Sequence, residues 1–304
     1  MNIKWNFLKV ILQQDLPFER RKEVLEERFK NADTYTRSFR GTEYRYQLYD
    51  VEAVHVDTLG RRIVLGHLTR SPKVAHGRSL NENTRKSEEG AVNVPEIADY
   101  TEFIYDLDSC VLAMHQRTPF TASGTIVKAW QNLLGQTIAA PGRGSSLDVH
   151  VEVMRDPAFV ANELDTAESL WEAKLVYAKP NPNGGDESLA RITLGLIGEE
   201  TGADEINFDA KRRGTGSLRK DENSFLRRSI TTLLANGYLK RGLLRIGHRV
   251  VDILEAKEKV RDTSGYRKDE NGVPLGLKAW TAQWLRELLE NADIYLQRTD
   301  NDDE

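Results

Sequence analysis

At 304 residues, with 39% apolar and 30% charged positions, the chain has the composition of a soluble globular protein with room for two domains or one large one. No apolar run approaches the roughly 18 residues of a spanning helix, and the N-terminal MNIKWNFLKVILQQD lacks a signal-peptide cleavage site, so the expected location is the cytoplasm. One cysteine, Cys110, excludes an intramolecular disulfide framework and a Cys-rich zinc site.

The chain opens on NIKWNFLKVIL, where Ile3, Trp5 and Phe7 recur at a spacing of two, which predicts a strand. Pro17 introduces a charged helix, FERRKEVLEERFKN, whose Glu19 to Lys30 stretch is expected to form a solvated face. EYRYQLYDVEAVHVD and RRIVLGHLTRS alternate apolar and polar residues and are joined at Gly60, a hairpin signal. Residues 72–94 are polar and without aromatics, and the expectation there is an irregular, mobile connection. TEFIYDLDSCVLAMHQR predicts a second hairpin turning at Asp106 to Ser109. TASGTIVKAWQNLLGQ predicts a helix with Ser123 or Thr125 near its cap and Gly135 at its end. PGRGSS at 141–146 is the expected domain boundary.

Beyond it come a strand (SLDVHVEVMRD), a helix (PAFVANELDTAE), a strand (LWEAKLVYAK), an exposed loop (PNPNGGD) and a helix capped by Ser188. A polar loop from Lys211 to Asp221 leads to the helix ENSFLRRSITTLLANG. LKRGLLRIG and RVVDILEAKEKVRD follow as two strands joined at Gly247-His248. LKAWTAQWLRELLENADIYL carries a clear amphipathic stripe, with Trp280 and Trp284 one turn apart marking core or a dimer contact. The expected class is α+β: two blocks of largely antiparallel sheet with packed helices and a C-terminal amphipathic helix. The blocks are residues 1–140 and 141–298, and residues 299–304 form an acidic disordered tail.

The stretch from Lys211 to Arg249 stands apart. It holds Lys211, Arg212, Arg213, Arg219, Lys220, Arg227, Arg228, Lys240, Arg241, Arg245 and Arg249 against only Asp221 and Glu222, a formal +9 in a chain whose total is −4. A basic island in an acidic protein is how a polyanion-binding face reads in sequence, because attraction to phosphates needs a local field and not a basic average. Arg212, Arg213, Arg219 and Lys220 flank Gly214-Thr215-Gly216-Ser217, where small residues allow close approach to phosphate. Arg241, Arg245 and Arg249 share a spacing of four, which in one regular strand puts all three on one face. The bland alternative is a solvated face paired to the acidic remainder of the chain. With only Phe225 and Tyr238 as aromatics, the window favours duplex over single strands.

Catalytic motifs are weaker. The Gly-Thr-Gly-Ser-Leu-Arg-Lys run lacks P-loop spacing. Glu172-Ala173-Lys174, with Asp148, Glu152 and Asp165 upstream, has the E-x-K form of a Mg²⁺-dependent nuclease site, although cross-strand salt bridging is the plainer account. Glu255-Ala256-Lys257 repeats it. His55, His67, His76, His115, His150 and His248 are scattered, with no metal-ligand spacing. Cys110 reads as a buried inert thiol.

In its order of elements the chain resembles a group of phage-exclusion and defence proteins that includes the lambdoid RexA exclusion protein. The similar points are the aromatic strand Trp5 to Leu12, RIVLGHLTRS at 62–71 and PEIADYTEFIYDLDSCVLAMHQR at 95–117. The Lys179 to Asn183 loop and the GYLKRGLLRI…VVDILEAKEKV hairpin complete the likeness. The resemblance implies a cytoplasmic, dimeric protein that binds DNA without sequence preference, with a second defence-system protein as a further partner, and supplies no catalytic residue. The expectation is therefore a non-catalytic duplex-DNA-binding defence protein with no cofactor. The alternatives are a Mg²⁺-dependent nuclease using Glu172, Lys174 and Asp148, and an adaptor that binds an acidic protein.

Overall fold

A computed structural model describes residues 3–12, 18–56, 60–72, 77–81, 86–90, 99–120, 123–135, 149–178, 197, 200–201, 203, 205–214, 216–235, 237–258 and 260–263. The expected boundary at 141–146, the loop after Lys179, Asp148, His76, the Trp280/Trp284 helix and the acidic tail lie outside the described residues. The helix expected at 188–202 lies largely outside them too.

β1 (Ile3–Leu12) is the strand around which the rest is arranged. It is followed by α1 (Phe18–Lys30), β2 (Tyr35–Phe39), β3 (Thr42–Val56), β4 (Arg61–Pro72), β5 (Gly77–Asn81), β6 (Lys86–Gly90), β7 (Asp99–Asp106), β8 (Val111–His115) and α2 (Ser123–Gly135). Then come β9 (Val149–Val153), α3 (Ala158–Thr166), β10 (Leu170–Ala178), β11 (Glu205–Lys211), α4 (Phe225–Ala235), β12 (Leu239–Ile246), β13 (Arg249–Asp252) and β14 (Val260–Thr263). The class is α+β, with every described strand pairing antiparallel.

The first sheet runs β14-β1-β8-β7-β4-β3-β2, with β9 also on β1. β14 pairs with Ile3 to Asn6 and β9 with Leu8 to Leu12, end to end along one edge of β1. β8 takes the other edge. The helices α1 and α2 cover one face, where Leu25, Phe29, Ile126, Trp130 and Leu133 meet Leu8, Val10, Phe103 and Tyr105. Phe29 and Tyr105 stack with centroids 4.6 Å apart. Ile3, Trp5, Phe7, Ile63 and Ile104 bury the opposite face. A strand buried on both faces reads as continuously apolar, which is why β1 exceeds its expected alternation.

The second sheet, β11-β10-β12-β13, packs one face on α3 and α4 and leaves the other to solvent. All of it lies between β9 and β14, so this module is inserted between two strands that flank β1. Its two connections run side by side. Arg155 bridges Glu258, the Asp156 amide donates to Lys257 O at 2.9 Å, and Arg155 Nη1 donates to Ala256 O at 2.8 Å. Ile11 of β1 belongs to the second module's core, so the two cores meet at β1.

Four local readings differ from expectation. Residues 77–81 and 86–90 pair as a separate two-stranded hairpin, in the stretch expected to be irregular. The strand expected after Arg249 breaks at Asp252, whose carboxylate accepts from the Leu254 amide and starts a short 3-10 turn. Its first part therefore joins the second sheet and its last part the first sheet. β2 and β11 were not expected as strands. In α1 the charged residues Arg21, Glu26 and Arg28 are buried, so the helix is not a purely solvated face; Glu26 is paired to Lys30 and Arg62.

α4 shows how sequence sets an element's limits. The Ser224 hydroxyl accepts from the Arg227 amide as an N-cap. At the other end the Gly237 amide donates to Leu234 O and the Tyr238 amide to Leu233 O, a Schellman closure with Gly237 at φ +67°. A Cβ on Gly237 would lie 2.9 Å from the Cβ of Lys9 in β1. Gly237→Ala therefore combines a left-handed alanine with an overlap between the two modules. It is expected to destabilise by roughly 2–4 kcal/mol, read as a lower urea midpoint. A midpoint equal to that of the unmutated protein would mean that this contact is not tight.

Candidate nucleic-acid interface

Three backbone hydrogen bonds gather the basic window at one end of the second sheet. The Gly247 amide donates to Ser169 O (3.1 Å), Leu218 to Leu170 O (2.7 Å) and Arg212 to Trp171 O (2.9 Å). The start of β10 is thus ringed by 211–213, 217–220 and 245–249, stretches far apart in sequence. Lys211 and Arg245 stand on either side of Glu172 in the strand register. The Arg212 side chain lies across Gly216, whose φ of +139° and missing Cβ make room for the guanidinium.

The eleven basic residues then divide by what holds them. Arg227 makes a two-pronged pair with Asp165 of α3, Nη2 to Oδ2 at 3.0 Å. Lys220 donates to Leu164 O at 2.8 Å near the C-terminal end of α3, where a cation opposes the helix dipole favourably. Lys240 pairs with Glu205 (2.8 Å), Arg249 with Glu163, and Lys211 lies 3.6 Å from Glu172. The other six, Arg212, Arg213, Arg219, Arg228, Arg241 and Arg245, are exposed and make no ion pair among the described residues. Of these, Arg212, Arg213, Arg219 and Arg245 lie at the ringed end, Arg241 lies further along the outer face of β12, and Arg228 is on α4.

The expected row of Arg241, Arg245 and Arg249 does not form. Spacing along a strand counts only while the strand continues, and the turn at Gly247-His248 puts Arg249 on β13, opposite the buried Ile246. It therefore faces α3, away from Arg241 and Arg245. The outer face is also mixed in sign: Lys211, Glu172 and Arg245 lie in one cross-strand row, and Asp209 and Lys174 in the next. An open cleft of about 510 Å³ beside Lys220 and Arg227 is lined by Asp165, Glu168, Asp221 and Glu222, and this acidic lining does not suit a phosphate.

Glu172 and Lys174 are ion-paired on that open face, at 3.1 Å. The hydrogen bond from Lys174, with Lys211 and Arg245 near, holds the Glu172 carboxyl below the usual carboxylate range. Asp165 is on the helical side of the sheet and Glu152 on β9, where it meets His150 at 2.5 Å. None joins Glu172, and no cluster of three His, Cys, Asp or Glu fit to hold a metal occurs among the described residues. Glu255 lies in the 3-10 turn. His115 is tied to Glu102 (2.9 Å) beside Arg117, His67 to Asp50 (3.2 Å), and Cys110 is buried.

Sequence reasoning missed the acidic partners Glu163, Asp165 and Glu205, which lie 35–86 positions from the cations they bind. It also missed β11, whose EINFDAK alternation was the available signal.

Asp165 is held low chiefly by its hydrogen bond from Arg227. A depressed folded-state pKa stabilises above the ordinary carboxylate value, and that contribution is lost as pH falls through the depressed value. Urea midpoints of Asp165→Asn and of the unmutated protein are therefore expected to differ at neutral pH and converge in acid. Curves that stay parallel would remove the pair from the pH response.

No protein-family model matches the chain, and no curated protein is significantly similar to it.

Proposed function

We propose that the chain is a non-catalytic, homodimeric protein that binds duplex DNA through its phosphates, without reading base sequence. One observation carries this reading. Six of the eleven basic residues in the window are exposed arginines without an ion pair among the described residues, and four of them gather around the start of β10. A guanidinium offers a planar fork of donors that matches phosphate oxygens two at a time, and Arg212 and Arg213 add a glycine-flanked turn that a backbone can approach.

Duplex is favoured over single strands because the window holds no stacking platform: Tyr238 is buried and Phe225 is 40% exposed as a lone ring. The basic face offers its cations to phosphates, and phosphate contact is the source of affinity in this reading. The resemblance to exclusion proteins adds a role in defence against foreign replication. The E-x-K pair gains no support as a nuclease centre, since its glutamate is engaged by two lysines and belongs to no cluster of three His, Cys, Asp or Glu fit to hold a metal among the described residues.

Titration of labelled duplex DNA over a range of salt tests the reading. Each neutralised phosphate contributes a slope of about −0.9 in log affinity against log salt. Replacing Arg212, Arg213 and Arg245 together by serine is expected to flatten the slope by roughly 2.7, whereas Lys174→Ser, at a position already paired with Glu172, leaves it unchanged. An unaltered slope in the triple variant would overturn the assignment. Binding that tolerates salt and prefers an acidic protein to DNA would move the same arginines to a protein partner.

A further inference from the structure

We infer that β11 is the contact between two copies of this chain, pairing antiparallel with its own symmetry mate about Phe208. The inference rests on the homodimer of the preceding section and names its surface. β11 ends the second sheet: it pairs with β10 on one side, and among the described residues nothing pairs with its other side. The Arg212 amide donates to Trp171 O. In an antiparallel ladder bonding alternates along the strand, so Ala210, Phe208 and Ile206 turn their amides to β10 while Glu205, Asn207, Asp209 and Lys211 turn theirs outward. No bulge interrupts this register. A second strand must therefore bond to the odd-numbered residues.

That parity leaves few registers, and among the axes through the three central residues, Asn207 to Asp209, charge selects. A two-fold axis through Asn207 sets Glu205 opposite Asp209. An axis through Asp209 sets that carboxylate opposite its own copy. An axis through Phe208 sets Glu205 opposite Lys211 twice and Asn207 opposite Asp209 twice, so every outward pair is complementary. It also places the two Phe208 side chains in a non-bonded pair at the axis, where cross-strand neighbours approach most closely. Ile206 and Phe208 are only partly buried against the core of their own module, and a second copy would cover what remains exposed. The strand has no proline, no glycine and no charge on the face toward the core, and its edge charges, Glu205, Asp209 and Lys211, are of both signs. The dimer would carry an arginine cluster on each side of its axis, doubling the phosphate contacts.

Sedimentation of the full chain over a range of concentrations tests this. The unmutated protein is expected to dimerise and Asn207→Pro to sediment as a monomer. That proline removes an outward amide and no bond to β10, so circular dichroism is expected to stay unchanged, while the urea midpoint loses its dependence on protein concentration. Lys211→Glu is expected to weaken the dimer by roughly tenfold, and Glu205→Lys added to it restores the swapped pair. A monomer at every concentration, or an unaltered dimer in Asn207→Pro, would overturn the inference. If the proline variant fails to fold, a double charge swap no tighter than the single one overturns it. Duplex binding by monomeric Asn207→Pro separates the two readings, because its salt slope per chain reports the arginines whether or not β11 pairs.

Discussion

Nine of the ten residues of β1 are buried, and what buries them is the whole molecule. Its side chains supply all three apolar clusters: Leu8, Val10 and Leu12 under the helices, Ile3, Trp5 and Phe7 on the opposite face, and Ile11 in the second module. Its backbone serves three strands. Within it sits Lys9, 2% exposed, whose ammonium donates to Ser109 O at 2.5 Å and lies 5.1 Å from the centre of the Tyr238 ring. A buried cation is tolerated only when its donors are met. Lys9 is met by the turn of the β7–β8 hairpin and by the residue that follows Gly237. One side chain thus ties the first sheet to the closure of α4, at the point where Gly237 touches its Cβ.

The inserted module hangs from that junction. Because β9 and β14 lie end to end along β1, the connections at Arg155 and Glu258 are held in a short bridge, and the second sheet is closed off as a unit. Within it Gly242 lets the 3-10 turn lie against β12, since a Cβ there would fall 2.7 Å from Ile253 Cδ1. The helices take the inner face and the solvent takes the outer one. The basic window spans both, and this is why its charge divides: Arg227 and Arg249 meet acids of α3 on the helical side, while Arg212, Arg213, Arg219 and Arg245 at the sheet end make no ion pair among the described residues.

How much of this was legible in the chain follows from the range of each interaction. Both N-terminal hairpins, α2, α3, β10, α4 and β12 follow from local signals, namely alternation, helical spacing, a cap serine and closing glycines. The break at Asp252 was missed because RVVDILEAKEKV has a continuous strand composition, and only pairing with two different sheets divides it. β11 is harder to read because its alternation of Ile206, Phe208 and Ala210 is confined to a short segment that runs directly into the basic stretch. The basic window itself was legible, but the fate of each charge was not. Arg227 and Arg249 look like Arg219 and Arg245 in sequence, and only Asp165 and Glu163 across the fold distinguish them.

That distinction bears on what the window is for. A basic surface kept for solubility would be expected to leave its lysines free, since the ammonium is the more strongly hydrated cation and arginine the better partner for a carboxylate. The window does the reverse. Its lysines are all engaged, Lys211 near Glu172, Lys220 on a helix carbonyl and Lys240 on Glu205, and the six cations with neither an ion pair nor a hydrogen-bonded carbonyl among the described residues are all arginines. The fold thus engages all three lysines of the window and two of its eight arginines, and leaves the other six arginines facing outward. Around the start of β10 these forks come from three separate stretches of chain held by main-chain hydrogen bonds, so their spacing is fixed by the sheet and not by flexible side chains alone. Guanidinium groups carried on a backbone held by main-chain hydrogen bonds have less chain freedom to lose when they meet phosphates, as the proposed binding role requires.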